Sequence, residues 1–168
     1  MQDIEQVYKE YFETVYKYLL CLTHNKDTAE ELTQETFCRA VKNVGKFKGN
    51  CKISVWLCQI AKNLWYDECR KRKDIYIKED SELEDIPDIS SLEEIAISNN
   101  EKNILNEKLK QLDSQTKEVI LLRITGDLSF KEIANILDKT ENWARVTFYR
   151  GKQKIMKEVH KYGDKKGV

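Results

Sequence analysis

The chain has 168 residues, enough for one medium domain or two small ones, and its 40% hydrophobic and 35% charged content fits packed helical domains with a charged surface. The formal net charge of zero divides into +3 over residues 1–73, −8 over 74–102 and +5 over 103–168, so two mildly basic blocks flank one acidic segment, and such basic blocks are the electrostatic footprint of phosphate-binding surfaces. No stretch reaches the ~20 apolar residues of a membrane span, and Asp3 and Glu5 stand where a signal peptide has its basic flank, which predicts a cytoplasmic protein without membrane insertion. In the first element, Ile4, Val7, Tyr8, Tyr11, Phe12, Val15, Tyr16, Leu19 and Leu20 recur at spacings of three and four, the period of an amphipathic helix of about twenty residues. After the break at His24–Lys26, Asp27 and Glu30 form a D-x-x-E capping pattern that opens a second helix. Ala29, Leu32, Thr33, Phe37, Ala40, Val41 and Val44 give it an apolar stripe, and Gly45 ends it.

The polar loop GKFKGNCK follows, then a third helix from about Ile53 to Arg72 with Val55, Trp56, Leu57, Ile60, Ala61 and Leu64 on its apolar side. It finishes in Arg70, Lys71, Arg72 and Lys73, cations that suit either the negative end of the helix dipole or nucleic acid. Residues 74–102, with Pro87 and patchy apolar residues, are expected to be an acidic, flexible linker with a short helix in it. Beyond it, Ile104, Leu105, Leu109 and Leu112 mark one helix and Val119–Leu122 with Ile124 another, stopped by Gly126. Ser129 and Glu132 form an S-F-K-E capping box for a short helix with Ile133, Ala134, Ile136 and Leu137 buried. Asp138 and Lys139 turn the chain, and Thr140 caps a last helix with Ala144, Phe148 and Ile155 inward. A short helix, a tight turn and a longer basic helix are the pattern of a helix-turn-helix, so the fold class is all-α, with domains at 1–73 and 103–168 joined by 74–102.

In that motif the second helix enters the major groove. Its outward positions here are Asn142, Arg145, Val146, Tyr149 and Arg150, with Lys152 extending the basic surface. Arg can bridge guanine, Asn can bridge adenine and Val can meet a thymine methyl. In the amino-terminal block, Trp65 and Tyr66 beside Asn63 and the basic helix end offer aromatic faces for unpaired bases, or alternatively core packing. The five cysteines contain no C-x-x-C pair, and His24 and His160 are isolated. Neither a metal, a cofactor nor a catalytic group is expected.

The run DTAEELTQETFCRAV, the segment FKGNCKISVWLCQIAKN and the carboxy-terminal LDSQTKEVILLRITGDLSFKEIANILDKTENWARVTFYRGKQKI resemble, in that order, the polymerase-binding, promoter-opening and upstream-element-reading parts of extracytoplasmic-function sigma factors of bacterial RNA polymerase. The resemblance implies a non-enzymatic factor whose partners are core RNA polymerase, through the coiled coil of the largest subunit and the flap, and promoter DNA. It places Asp27, Glu31, Gln34 and Glu35 at the polymerase, an acidic helical face otherwise without an internal partner. Phe47, Lys48, Gly49, Asn50, Lys52 and Asn63, with Arg70 and Arg72, fall at the single-stranded −10 element, where a base is flipped from the non-template strand. Thr140, Asn142, Arg145, Val146, Tyr149, Arg150 and Lys152 fall at the duplex −35 element. An anti-sigma factor is a further partner common in the family, and no residue identifies one here. Where the family has a basic residue, a serine and an arginine in succession, this sequence keeps the first as Arg145 and departs at Val146 and Thr147, and Trp143 replaces a common threonine.

Two other functions remain open on the residues alone. One is a repressor or activator whose amino-terminal helices dimerise or sense a ligand. The other is a helical enzyme using Glu30 with Glu31 or Glu93 with Glu94, but neighbours on a helix diverge by about 100°, which poses neither pair on a shared substrate.

Overall fold

A computed structural model describes residues 3–73 and 107–164, with side chains to Arg72 in the first stretch and to Lys157 in the second. The acidic segment 74–102, with the short helix expected in it, and Ile104 and Leu105 lie outside the described residues. Every regular element among the described residues is helical, and the chain divides into two units, one within Met1–Pro87 and one within Asp88–Val168.

In the first unit, α1 (Ile4–Thr23), α2 (Lys26–Asn43) and α3 (Ile53–Lys73) each pack against the other two around Val15, Tyr18, Leu19, Ala29, Leu57, Cys58 and Ala61. His24 ends α1 in the left-handed region at φ 52°. Asn25 then opens α2, its side-chain oxygen accepting the Thr28 amide at 2.9 Å. The cap therefore lies two residues before the expected D-x-x-E pattern, because Asn25 is already extended while its carbonyl accepts the Ala29 amide. Asp27 and Glu30 are exposed on the first turns. Thr33 and Thr36 are fully buried, and their hydroxyls donate back to the carbonyls of Ala29 and Leu32 at 2.6 and 2.7 Å, which removes the penalty of an unpaired buried hydroxyl.

Two expectations for α2 fail. Val41 and Val44 are exposed, not core. The Tyr8 ring meets Phe37 at 4.9 Å, so Val41, one turn on, faces the first turn of α1, where Ile4 is itself exposed. Nor does Gly45 end the helix in a left-handed cap. The helix tightens after Asn43 into a 3₁₀ turn, Val44–Lys46, closed by the Phe47 amide on the Val44 carbonyl at 3.1 Å.

The second unit starts in helical residues 107–111 and continues through α4 (Ser114–Ile124), α5 (Phe130–Leu137) and α6 (Glu141–Asp164). Asp113 caps α4, its carboxylate accepting the Thr116 amide at 3.0 Å and the Thr116 hydroxyl at 2.6 Å. The hydroxyl bond is the chief reason that the Asp113 carboxyl titrates below its ordinary value. Past Ile124, a Cβ on Gly126 would stand 2.7 Å from the Leu122 carbonyl oxygen, so this turn needs a glycine. The expected capping box is present. Ser129 Oγ accepts from the Glu132 amide at 3.2 Å, and the Glu132 carboxylate accepts from the Ser129 amide at 2.7 Å. Asp138 turns the chain at φ 55°, and Thr140 Oγ1 caps α6 by accepting the Trp143 amide at 3.1 Å. Leu109, Val119–Leu122, Leu128, Ile133, Ile136 and Ala144 form the core, with Gly151 buried where α6 crosses α4.

Candidate functional site

Three sets of expected residues fall on three surfaces, two on the first unit and one on the second, except that Arg70, expected with the −10 set, lines the cavity of the polymerase set. Glu31, Gln34 and Glu35 from α2 line a cavity of about 680 Å³ together with Cys38 and Arg39 and, across it, Leu64, Asp67, Glu68, Arg70 and Lys71 of α3. Asp27 lies one turn before Glu31 and outside this lining. Glu31 and Gln34 are exposed, whereas Glu35 accepts from Arg39 Nε at 2.9 Å, so this part of the acidic face does have an internal partner. On the far wall Arg70 pairs with Asp67, and Arg72 Nε reaches Glu68 at 3.1 Å. Exposed pairs at these spacings contribute only ~0.3–0.5 kcal/mol, so an incoming charged partner can exchange them at little cost.

The loop before α3 is pinned at one end and open in the middle. Phe47 is half-buried with its ring 4.8 Å from that of Trp56, while Lys48, Gly49, Asn50 and Lys52 are exposed. Gly49 takes φ +71°, a conformation other L-residues resist. No acidic residue occurs between Glu35 and Asp67, so Lys42, Lys46, Lys48 and Lys52 set a positive local field. Asn63 is exposed on α3, as is Tyr66, whereas Trp65 is half-buried with the Arg72 guanidinium 5.9 Å from its ring.

On α6 the outward row holds: Asn142, Arg145, Val146, Tyr149, Arg150 and Lys152 are exposed, with Ala144, Gly151 and Ile155 buried behind them. Phe148, expected inward, is only half-buried, with its ring centroid 5.6 Å from that of Phe130. The hydroxyl oxygen of Thr140 is already engaged as the helix cap. Arg145 donates to Glu141 at 2.9 Å and lies 5.6 Å from the Phe130 ring. Phe130 escaped the sequence reading. The signal that could have found it is the capping box itself, which places an aromatic at the first position of α5, facing the motif's second helix. Among the described residues no group of three His, Cys, Asp or Glu side chains could hold a metal ion, and no helix is long and apolar enough to cross a membrane.

Comparison with known proteins shows the family. Residues 7–75 match the family described as Sigma-70 region 2, and residues 102–155 that described as Sigma-70, region 4. The RNA polymerase sigma factor YlaC of Bacillus subtilis (strain 168) is 28% identical over 161 residues, 95% of this chain and 93% of the relative. The ECF RNA polymerase sigma factor SigM of the same organism is 30% identical over 158 residues, 90% of this chain and 92% of the relative. Among solved structures, the sigma factor RpoE from Bartonella quintana, in complex with the anti-sigma factor NepR, has a similar fold at TM-score 0.67 and 19% identity, covering 95% of this chain and 98% of that one. CnrH, in complex with the cytosolic domain of CnrY, is similar at TM-score 0.61 and 18% identity, covering 91% and 84%. The chain belongs to the extracytoplasmic-function sigma factors, which direct RNA polymerase to promoters to initiate transcription.

Proposed function

We propose that the three surfaces divide promoter recognition among them, with sigma region 2 in residues 1–73, region 4 in 103–168 and the acidic segment 74–102 as linker. Glu31, Gln34 and Glu35, assisted by Asp27, dock the coiled coil of the polymerase's largest subunit. Lys48, Gly49, Asn50, Lys52 and Asn63 receive the extruded −10 base on a loop that Phe47 holds to α3, and Arg70 and Arg72 attract the neighbouring phosphates. Extrusion costs a few kcal/mol, roughly what a stacked and hydrogen-bonded pocket returns. Asn142, Arg145, Val146, Tyr149, Arg150 and Lys152 read the −35 duplex, with Thr140 fixing the start of their helix. The observation that carries this division is the exposed row of α6, backed by Ala144, Gly151 and Ile155, at the end of a doubly capped helix-turn-helix.

RNA synthesis then belongs to the polymerase core and this chain is no enzyme, acting in the cytoplasm. An anti-sigma protein is its proposed inhibitor, as the two solved relatives were each found with such a partner or a cytosolic domain bound. In vitro transcription by core polymerase over a promoter library tests the whole proposal. Initiation must depend on this chain and select a two-part promoter, and a chain that binds DNA but never directs core polymerase overturns it.

A further inference from the structure

Four side chains from two other helices of the second unit converge on one ring. The Arg123 guanidinium at the end of α4 lies 4.6 Å from the Phe130 ring centroid and that of Arg145 on α6 lies 5.6 Å from it. The rings of Phe148 and Tyr149, also on α6, lie at 5.6 and 6.0 Å. Both guanidiniums are within the ~6 Å over which a cation is attracted to an aromatic face. The backbone that carries the ring is fixed by the helix cap. Phe130 opens α5 directly after the Ser129 capping box, and Arg123 is itself tied down, donating to the Leu128 carbonyl at 2.7 Å. Arg145 is the more exposed of the two cations, and its remaining tether is Glu141 at 2.9 Å, one turn back on the same helix.

We infer that Phe130 is a positioning residue for upstream-element recognition, holding the Arg145 guanidinium in its outward pose before DNA arrives. Glu141 alone fixes one end of the guanidinium by an exposed i,i+4 pair, which is weak and screened by salt. The ring supplies the second support, and two supports restrict the planar fork to few orientations. An arginine restricted in this way loses less rotamer freedom when it binds a base edge bidentately, and it is less able to swing onto a nearby phosphate. Phe130 thereby favours base reading over general phosphate gripping at that position. This inference rests on the proposed role of Arg145 at the −35 element.

The test uses holoenzyme assembled from core polymerase and the full chain, selecting from duplex promoters with a randomised −35 element. Phe130→Leu keeps an apolar body and removes the aromatic face, and Phe130→Tyr restores the face. Phe130→Leu should lower the base preference about threefold at the position whose preference Arg145→Ala erases and leave unchanged the positions that depend on neither Arg145 nor Tyr149, as expected for loss of one exposed cation–π contact. Phe130→Tyr should retain the wild-type preference, and Phe130→Leu should change nothing further at that position when Arg145 is already alanine. If the leucine chain melts early, Phe130→Met, whose flexible side chain fills the same gap, takes its place. An equal loss at every position, or full additivity with Arg145→Ala, overturns the positioning role. If Arg145→Ala leaves every preference intact, the proposed role of Arg145 itself fails.

Discussion

Replacing a glycine inside a helix by alanine ordinarily stabilises a protein by about 0.5–1 kcal/mol, yet Gly151→Ala should do the reverse. Gly151 is buried within α6, where a Cβ would lie 2.5 Å from Thr116 Cγ2 and 2.8 Å from Ile120 Cδ1 of α4. The isoleucine methyl ends a flexible chain and can rotate away. Thr116 cannot, because its hydroxyl and amide are both bonded to Asp113 at the start of α4. Overpacking of this kind costs about 1–3 kcal/mol, which exceeds the helix-propensity gain and leaves a net loss of roughly 1–2 kcal/mol. For a unit of about 60 residues that corresponds to a melting-point drop of ~5–15 °C, measurable by scanning calorimetry. Thr116→Ser removes the obstructing methyl and keeps the hydroxyl on Asp113, so in that background the Gly151→Ala loss should fall below about 0.5 kcal/mol, within the usual coupling of contacting residues. Upstream-duplex binding should weaken with the loss, because α6 must lift from α4 and carries the recognition row with it. A higher melting point for Gly151→Ala, or a loss that is undiminished in the Thr116→Ser background, would refute the steric reasoning.

Other expectations separate the surfaces. Changing Glu31, Gln34 and Glu35 together to lysine should abolish co-purification with core polymerase while shifting stability by no more than ~0.5 kcal/mol per exposed site, and retained co-purification rules out that docking face. Arg145→Ala should cost roughly 1–3 kcal/mol, confined to one base position if it is a base contact or spread over all sequences with a shallower salt slope if it is a phosphate contact. Asn63→Ala should instead spare upstream-duplex binding and slow strand opening, with part of the defect rescued on a template carrying a pre-melted bubble. Identical responses of these two variants to the bubble would show that the division of labour is wrong. The Asp113 carboxyl, held low chiefly by the Thr116 hydroxyl, stabilises the fold above the ordinary carboxylate value of 3.8, and this contribution fades as pH falls through the lowered native value. Asp113→Ala should therefore cost ~1 kcal/mol at neutral pH and flatten the acid limb of the urea-melt stability curve, and an unchanged limb removes this cap as its origin.

Much of the fold was legible because most of it is local. The period of three and four placed all three helices of the first unit, and the S-F-K-E box and Thr140 placed the start of α5 and of α6 to the residue. The misses arose where two local signals competed. Asn25 and Asp27 are both good caps, and only the extended backbone at Asn25 decides between them. Val41 and Val44 continue an apolar stripe whose partner helix runs out, and a stripe does not report the length of the element opposite. Tyr18 is fully buried but stands next to Lys17 and off the strongest stripe, so its burial was invisible from α1 alone.

The candidate surfaces show the same boundary in sharper form. Which way Asn142, Arg145, Val146 and Tyr149 face follows from one helix and from Ala144 and Ile155 on its other side, so their exposure could be read in advance even though Phe148, the third inward residue, is only half-buried. How those residues are held could not. Glu35 on Arg39 and Arg145 on Glu141 are i,i+4 pairs that the spacing allowed, among several allowed alternatives. The Phe130 contacts join α4, α5 and α6 at separations of seven, fifteen, eighteen and nineteen residues, which no period encodes. The substitutions that set this chain apart from its family's recognition pattern, Val146 and Thr147, lie in the same helix turn as those contacts. With the cation missing from that turn and its hydroxyl moved one position on, to Thr147, the proposed grip of α6 on the duplex rests on other groups. Under the role proposed for α6, the Arg145 guanidinium, supported by a ring and a carboxylate, would read its base beside Asn142, Tyr149 and Arg150 without that cation.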